Sequence, residues 1–324
     1  MASAKRHVLI TGAAGFIGQA LAIALLQGGG IKKLSMTDVT EPNAPKGDCT
    51  IEAFAADLTS ADTCRTIFTE DIDEVFLLHG IMSGAAEANL ELGLEVNFDS
   101  MRYIIDALRK QRRSQPPRVV FPSSLAVFGP SGPNETITES TITLPQSSYG
   151  AEKAMVELLL NDMSRRGLID ARIVRLPTII VRPGKPTGAA SSFCSGIIRE
   201  PLNGERSVLP VAEDLKLWVC SARTVIRNLV AAMQISEANF QGKSRTVNLP
   251  GLTVTVEEML QALEKVAGQE KRALVDKLYD EKVARIVGSW PAVFDTSKAK
   301  RLGFEDDVDL VSTVRAYMDD YLGR

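Results

Sequence analysis

Tyr149 and Lys153 open a strong helical pattern with a spacing that puts a phenol and an ammonium on one helix face, about a turn apart. Moving a hydride to or from an alcohol requires a proton acceptor beside the reacting oxygen. A phenol titrates near about 10, so it is a poor base at neutral pH until neighbouring positive charge stabilises its anion. Lys153 supplies such a charge. Ser124 ends the run Arg118–Ser124, where it can hold the substrate oxygen by a neutral hydrogen bond while Tyr149 takes the proton; Ser123 lines the same pocket. A Tyr/Lys pair at this spacing also occurs on solvated helix faces, so its meaning depends on what else the chain brings beside it.

What else it brings is a glycine loop. Thr11-Gly12-Ala13-Ala14-Gly15-Phe16-Ile17-Gly18 follows a predicted strand and opens a predicted helix. Gly12, Gly15 and Gly18, with Phe16 and Ile17 among them, sit where a backbone must turn sharply and approach a pyrophosphate, whose oxygens take N–H bonds from the helix N-terminus. The G-x-x-G-x-x-G spacing departs from the commoner G-x-G-x-x-G, and three glycines alone would also serve a tight turn with close helix packing. The next strand ends at Asp38, the right distance downstream for a carboxylate that accepts hydrogen bonds from an adenosine ribose. A 2′-phosphate there would meet like charge, which selects NAD over NADP. Asp57-Leu58 ends the third strand, where a carboxylate can meet an adenine amino group and a leucine cover its face, or where the pair makes a plain strand-end turn.

The elements that must position these residues can be read from the alternation of short apolar runs with longer helical patterns. His7–Thr11, Lys33–Asp38, Thr50–Ala55, Glu74–His79, Arg118–Ser123 and Arg172–Leu176 read as strands, and Phe16–Gln27, Ala61–Phe68, Leu94–Arg112 and Tyr149–Arg166 as helices. This order predicts an α/β fold, a Rossmann-type doubly wound parallel sheet with helices on both faces, in which the glycine loop, the serine and the tyrosine helix converge on one sheet edge. After about Ile180 the pattern loosens into Gly/Pro-rich loops, then yields helices near Ala222–Ser236 and Val256–Ala267, the latter with a capping box in Thr255-Val256-Glu257-Glu258. Residues 1–180 therefore read as the dinucleotide-binding part and 181–324 mainly as a smaller substrate-binding lobe, with some segments returning to the first part. The basic run Arg109–Arg113 reads as a solvated helix end.

Composition is that of an ordinary globular chain: 324 residues, 45% hydrophobic, 24% charged and a formal net charge of −3, which gives nucleic acid no electrostatic reason to bind. The longest apolar stretch, Ala20 to Leu26, is far short of the roughly 20 residues that span a bilayer, and the basic Met1–His7 segment leads into a glycine-interrupted strand rather than a signal core. Cys49, Cys64, Cys194 and Cys220 form no C-x-x-C pair and the histidines are His7 and His79, so the expectation is a cytoplasmic protein with reduced thiols and no metal site.

Thr11–Gly18, Asp57-Leu58, Asn97, Ser123-Ser124 with Val127-Phe128-Gly129, and Tyr149-x-x-x-Lys153 together resemble the extended short-chain dehydrogenase/reductase family over most of the chain. The resemblance implies an NAD-dependent dehydrogenase in which Ser124, Tyr149 and Lys153 are catalytic, Asn97 supports the site and the C-terminal lobe closes over the substrate. His79–Gly84, Ser148–Lys153 with Glu157–Leu160, Arg175–Ile179, Arg182–Pro186 and Ile197–Leu202 resemble, more narrowly, the D-erythronate dehydrogenase branch, whose members oxidise a four-carbon sugar acid at C2 with NAD. That likeness implies that Ser83, Tyr149, Lys153 and the segment from Pro177 contact the nicotinamide half, with His79 also at the cofactor, and the wider family resemblance implies a homodimer through the Leu94–Arg112 and Tyr149–Arg166 helices.

A sugar acid presents a carboxylate, for which Arg182 and then Lys185 are the candidate cations; Ser83 and Thr178 can hold its hydroxyls, and Trp218 and Arg223 line the lobe interface. Two other functions remain open on the residues. A nucleotide-sugar epimerase or dehydratase shares the cofactor and the Ser/Tyr/Lys group, though Phe128 in place of a tyrosine and the lack of an acidic residue in Trp218–Arg223 weigh against it. A non-catalytic dinucleotide sensor would need no such group at all.

Overall fold

The computed structural model describes residues 5–111, 113–132, 135–186, 189–240 and 244–323. Seven parallel strands form the central sheet: β1 (Arg6–Thr11), β2 (Ile31–Asp38), β3 (Thr50–Ala55), β4 (Glu74–Leu77), β5 (Arg118–Ser124), β6 (Asp170–Leu176) and a late strand, Thr246–Asn248. They run in the order Thr246–Asn248, β6, β5, β4, β1, β2, β3. From β1 the chain winds one way to β3, then crosses back to β4 and winds the other way. The reversal falls between β1 and β4, where an open parallel sheet leaves a crevice at its strand C-termini.

Apolar runs of β-branched residues buried on both faces explain why these strands are central. On one side, Val8, Ile10, Leu34, Val120 and Val174 pack under the helices Phe16–Gly28 and Ala222–Gln234. On the other, Leu9, Val75, Val119, Phe121 and Ile173 pack against Ala61–Ile67, Ser100–Arg109 and Ser148–Arg165. Serines cap three of these helices, Ser60 before Ala61–Ile67, Ser147 before Ser148–Arg165 and Ser221 before Ala222–Gln234. Ser147 accepts the Gly150 N–H at 3.2 Å and so starts the Ser148–Arg165 helix. The predicted capping box at Thr255 and Glu258 is formed in both directions.

The predicted helix Leu94–Arg112 is not one regular element. A turn at Leu90–Gly93 leads into a π-type stretch, Leu94–Asp99, and only then into the α-helix Ser100–Arg109. The wide turn lets Asn97 leave the helix surface and reach a neighbouring loop, the kind of local distortion that functional sites use. Arg112 lies outside the described residues; Arg109 pairs with Asp106 at 2.6 Å on the solvent side.

In the second half, β7 (Thr178–Ile180), β9 (Lys216–Ser221) and β11 (Leu252–Thr255) form a small mixed sheet, and β8 (Ser207–Leu209) pairs with β12 (Val275–Lys277). Their apolar faces, with Ile197, Val219, Met259 and Val314 among them, make a separate core. Between these pieces the chain returns to the central sheet with the Ala222–Gln234 helix and with Thr246–Asn248, henceforth β10, which extends the sheet beyond β6. Among the described residues no helix is long and apolar enough to cross a membrane. All four cysteines are free thiols.

Candidate active site

The crevice at the strand C-termini is a cleft of about 850 Å³ whose walls include Gly12, Gly15, Phe16, Ile17, Gly18, Asp38, Asp57, Leu58, His79, Ser83, Ser123, Ser124, Tyr149, Lys153, Pro177, Thr178, Arg182 and Lys185. Asn97 stands behind it. The residues singled out by spacing are thus brought to one place, although they come from eight or more separate segments.

The glycine loop is built for a close-lying ligand. Gly12 has φ +65°, and a Cβ there would lie 2.5 Å from the His79 backbone nitrogen; at Gly18 a Cβ would lie 2.6 Å from the backbone of Gly12 and Ala13. The helix Phe16–Gly28 starts at Gly15 with no side-chain cap and no acidic residue in its first turn. Its first N–H groups therefore face the cleft without an internal acceptor, which suits a diphosphate. At the edge of this loop Asp38 accepts the Ala14 N–H at 3.1 Å and the Val39 N–H at 2.7 Å, which aims its carboxylate at the mouth of the loop. Asp57 makes the strand-end turn, its Oδ1 accepting both the N–H and the hydroxyl of Thr59, while Leu58 is buried beside the cleft. These residues fit a dinucleotide: open helix N–H groups for the phosphates, a carboxylate for a ribose and an apolar wall for a base.

At the other end of the cleft, the Ser148–Arg165 helix carries Tyr149 and Lys153 past the end of β5. Burial pushes the Tyr149 phenol up to about 12, against the pull of a hydrogen bond from Ser124 and of the Arg182 guanidinium; Glu152 adds to the upward push. The Lys153 ammonium is 5.7 Å from the centre of the tyrosine ring and 4.4 Å from that of Phe121, and it donates to the Pro122 carbonyl at 3.1 Å. Burial brings it down to about 8, while the carboxylates of Glu157 and Glu152 favour its charged form. Spacing points to Lys153 as the cation for Tyr149; the structure adds Arg182 as a cation acting on the phenol.

Asn97 is buried and saturated. Its Oδ1 accepts the Ile81 N–H at 2.9 Å, and its Nδ2 donates to the Ile81 carbonyl at 3.1 Å and to Glu152 Oε2 at 2.7 Å. It thereby fixes the turn after His79. His79 itself is held from both sides, Nδ1 by the Thr11 hydroxyl at 2.7 Å and Nε2 by Ser100 Oγ at 2.8 Å. Because Ser100 Oγ donates to the Val96 carbonyl at 2.6 Å, it accepts from Nε2–H, and burial holds the ring neutral with its titration near about 3. His79 thus joins the cleft as a wall, with both ring nitrogens already engaged.

Toward the second half, Ser83 Oγ accepts the Ala190 N–H at 3.3 Å across the cleft, and Thr178 begins β7 in a buried position. Arg182 donates from its backbone to Ser195 Oγ at 3.0 Å and from Nη2 to the Ser191 carbonyl at 3.1 Å, which ties its guanidinium down while it acts on the phenol. Lys185 is exposed at the rim. Ser123 lines the cleft, and its hydroxyl donates to Glu157. Trp218 and Arg223 do not line the cleft: Trp218 is buried in a stack on Phe294 with ring centres 3.7 Å apart, and Arg223 pairs with Asp320 at 2.6 Å on the surface. Glu152, Glu157, Arg175 and Arg199 are further buried charged residues around the site, which motif spacing does not single out. Glu157, one further turn along the Tyr149/Lys153 face, carried a positional signal.

A Rossmann-type sheet with its crevice at the reversal point, a bare helix N-terminus and a Ser/Tyr/Lys group defines a nucleotide-dependent oxidoreductase or epimerase class. The chain belongs to the NAD dependent epimerase/dehydratase family, whose pattern matches residues 8–241. Over 97% of this chain and 98% of the relative it is 44% identical to a D-erythronate dehydrogenase of Cupriavidus necator. It is 42% identical to a D-erythronate dehydrogenase of Haemophilus influenzae, over 96% and 98% of the two chains. Among solved structures it superposes with TM-score 0.92 on a nucleoside-diphosphate-sugar epimerase from Agrobacterium tumefaciens, 39% identical over 98% of this chain and 95% of that one.

Proposed function

We propose that this protein oxidises the C2 hydroxyl of a small 2-hydroxy sugar acid, D-erythronate to 2-dehydro-D-erythronate, with NAD. The observation that carries the reading is the conjunction at Tyr149: an acid/base phenol acted on by Ser124 and by a partly buried guanidinium, Arg182. An alcohol carbon flanked by a carboxylate needs both a proton acceptor and a cation within one small space. The full-length likeness to two D-erythronate dehydrogenases supports the same substrate.

In this reading Gly12, Gly15, Phe16, Ile17 and Gly18 hold the NAD diphosphate, Asp38 the adenosine ribose, Asp57 and Leu58 the adenine, and His79, Ser83, Lys153 and Pro177 wall the nicotinamide half. Bound NAD supplies the hydride acceptor. Ser124 donates to or accepts from the substrate oxygen and orients it toward Tyr149, which takes the hydroxyl proton. Arg182 favours the phenolate that must form, and Lys153, its ammonium held at the Pro122 carbonyl 5.7 Å from the centre of the tyrosine ring, adds a second positive charge nearby. Arg182 also meets the substrate carboxylate, with Lys185 at the entrance; Ser83 and Thr178 receive the remaining hydroxyls. Asn97 supports the site from behind.

The protein acts as a homodimer through the outer faces of the Ser100–Arg109 and Ser148–Arg165 helices. Leu158, 72% exposed on the outside of the second helix, supports this. Its reduced thiols suit the cytoplasm. The test is reduction of NAD, followed by absorbance, over four-carbon hydroxy acids of each configuration and over nucleotide sugars. Net NADH from D-erythronate alone is the expected result; turnover of a nucleotide sugar without net NADH would replace this reading by epimerisation.

A further inference from the structure

Three residues spaced by single helical turns, Tyr149, Lys153 and Glu157, grip three consecutive residues of β5. Tyr149 faces Ser124, which acts on its phenol, Lys153 donates to the Pro122 carbonyl at 3.1 Å, and Glu157 Oε1 accepts from the Ser123 hydroxyl. The first two belong to the reaction already described. The third faces away from the cleft, yet it is the most heavily bonded of the three.

Glu157 is 4% exposed, and Arg175, on the adjoining strand β6, is 5% exposed. Nε of Arg175 donates to both carboxylate oxygens, at 2.9 and 3.2 Å, and Nη2 donates to Oε2 at 2.6 Å, while the guanidinium lies 4.6 Å from the centre of the Phe128 ring. A buried carboxylate is tolerated only with such partners, and removing one of them strands the other charge. The charged groups around the pair are Lys153 on its own helix and, past Arg175, Lys298 with Glu139. Around Lys153 stand Glu152 and Glu157, the tyrosine, and the neutral His79.

We propose that Glu157 is a positioning residue for the reaction: held by Arg175, it anchors Ser123 and so fixes Pro122 and Ser124 on either side against Lys153 and Tyr149. It also places a full negative charge one turn from Lys153, which keeps that ammonium charged in a buried place. The inference rests on the assignment of Ser124, Tyr149 and Lys153 as the reacting group and extends it to a residue that touches neither substrate nor cofactor.

The link and the charge separate in two variants. Ser123→Ala removes the anchor and leaves the Glu157–Arg175 pair whole, so it folds; Glu157→Gln keeps an acceptor for Ser123 and removes the charge. Both are expected to lower kcat about 10- to 100-fold, the cost of a misplaced reacting group, with KM for NAD changed by less than about threefold. Titration of the Lys153 side chain in the NAD-free protein, by NMR of 13C-labelled lysine, should show a midpoint lower than wild type in Glu157→Gln and unchanged in Ser123→Ala. If Glu157→Gln does not fold, Glu157→Gln combined with Arg175→Met, which leaves no stranded charge, takes its place in the titration. Folded variants with wild-type kcat and an unmoved Lys153 midpoint would reduce Glu157 to a structural ion pair. A wild-type protein inactive on every four-carbon acid overturns the proposed substrate instead, and leaves the Lys153 titration to decide the role of Glu157.

Discussion

One amide nitrogen of Asn97 serves two partners at once, the Ile81 carbonyl at 3.1 Å and the Glu152 carboxylate at 2.7 Å. The π-type turn at Leu94–Asp99 makes this reach possible, and the turn after His79 depends on it. Asn97→Asp would delete both donations and set two carboxylates against each other in a buried place. The expected result is a protein destabilised by about 1–3 kcal/mol or more at pH 8. Burial already pushes the Glu152 carboxyl up. The second carboxylate pushes it further, so protonation of the pair should restore part of the loss as pH falls. Melting temperatures of the variant and wild type between pH 5 and about 8 check this; a difference independent of pH contradicts it.

Gly12 meets the backbone of His79 so closely that no side chain fits between them. Gly12→Ala adds a methyl 2.5 Å from the His79 nitrogen on a backbone with φ +65°, where an L-residue already carries about 1–2 kcal/mol of strain. Either the loop or the turn after β4 must shift, and both wall the dinucleotide end of the cleft. NAD affinity, measured by calorimetric titration, should fall at least about 10-fold, whereas Gly28→Ala, which meets nothing, should leave it unchanged.

How much of the molecule is legible in its sequence differs between backbone and side chains. The bounds of Thr50–Ala55 and Val256–Ala267 were legible because apolar period and capping residues agree there. The cradle and the Ser/Tyr/Lys group were legible because each has its own spacing. The supporting charges were not. On the Ser148–Arg165 helix, Glu157 is buried and the adjacent Leu158 is 72% exposed, the reverse of what polarity suggests. A carboxylate goes inward only when a partner such as Arg175 waits on another strand, and periodicity within one helix carries no word of that partner. The short strand β10 escaped for a similar reason: three residues make no pattern, and their pairing with β6 decides their conformation.

Tyr149 is the group whose loss should be felt most. Tyr149→Phe keeps the ring and its packing and removes the hydroxyl that exchanges a proton with the substrate. Turnover should drop on the order of 10²–10⁴-fold with NAD binding retained. In the free protein the phenol titrates at about 12 and Lys153 at about 8, so wild-type oxidation should speed up as pH rises to about 8 and gain less beyond it, where Lys153 gives up its proton. Steady-state rates from pH 6 to about 10 report both effects, and a near-normal kcat in Tyr149→Phe would remove the phenol from the mechanism.

Arg182 differs from Lys185 in being fixed. Two hydrogen bonds to the Ser191–Ser195 segment hold it, and it acts on the Tyr149 phenol, whereas Lys185 is exposed. Arg182→Met should raise KM for the acid about 10- to 100-fold, the worth of a charge-assisted hydrogen bond, and lower kcat as the phenol loses a cation. Lys185→Met should change KM less than about threefold. A comparison of the acid with its uncharged amide separates the two contributions: Arg182→Met should lose discrimination between them, and retention of that discrimination would place the carboxylate elsewhere.

Lys153 exerts its effect at a cost to the fold. It is 6% exposed, and burial lowers its titration from 10.5 to about 8. Between those two values the unfolded chain binds a proton that the folded protein does not, so stability rises with pH from about 8 to about 10.5 and the penalty of the buried ammonium is felt in full below about 8. Lys153→Met removes that penalty. At pH 7 the variant should be more stable than wild type by on the order of 1–3 kcal/mol, several degrees in melting temperature, while turnover is largely lost. Above pH ~10.5 the advantage should vanish, because wild-type Lys153 is by then neutral in both states. Denaturant melts at the two pH values decide the matter: a variant less stable than wild type at pH 7 would mean that the bond to Pro122 and the pull of Glu157 outweigh the desolvation of the ammonium.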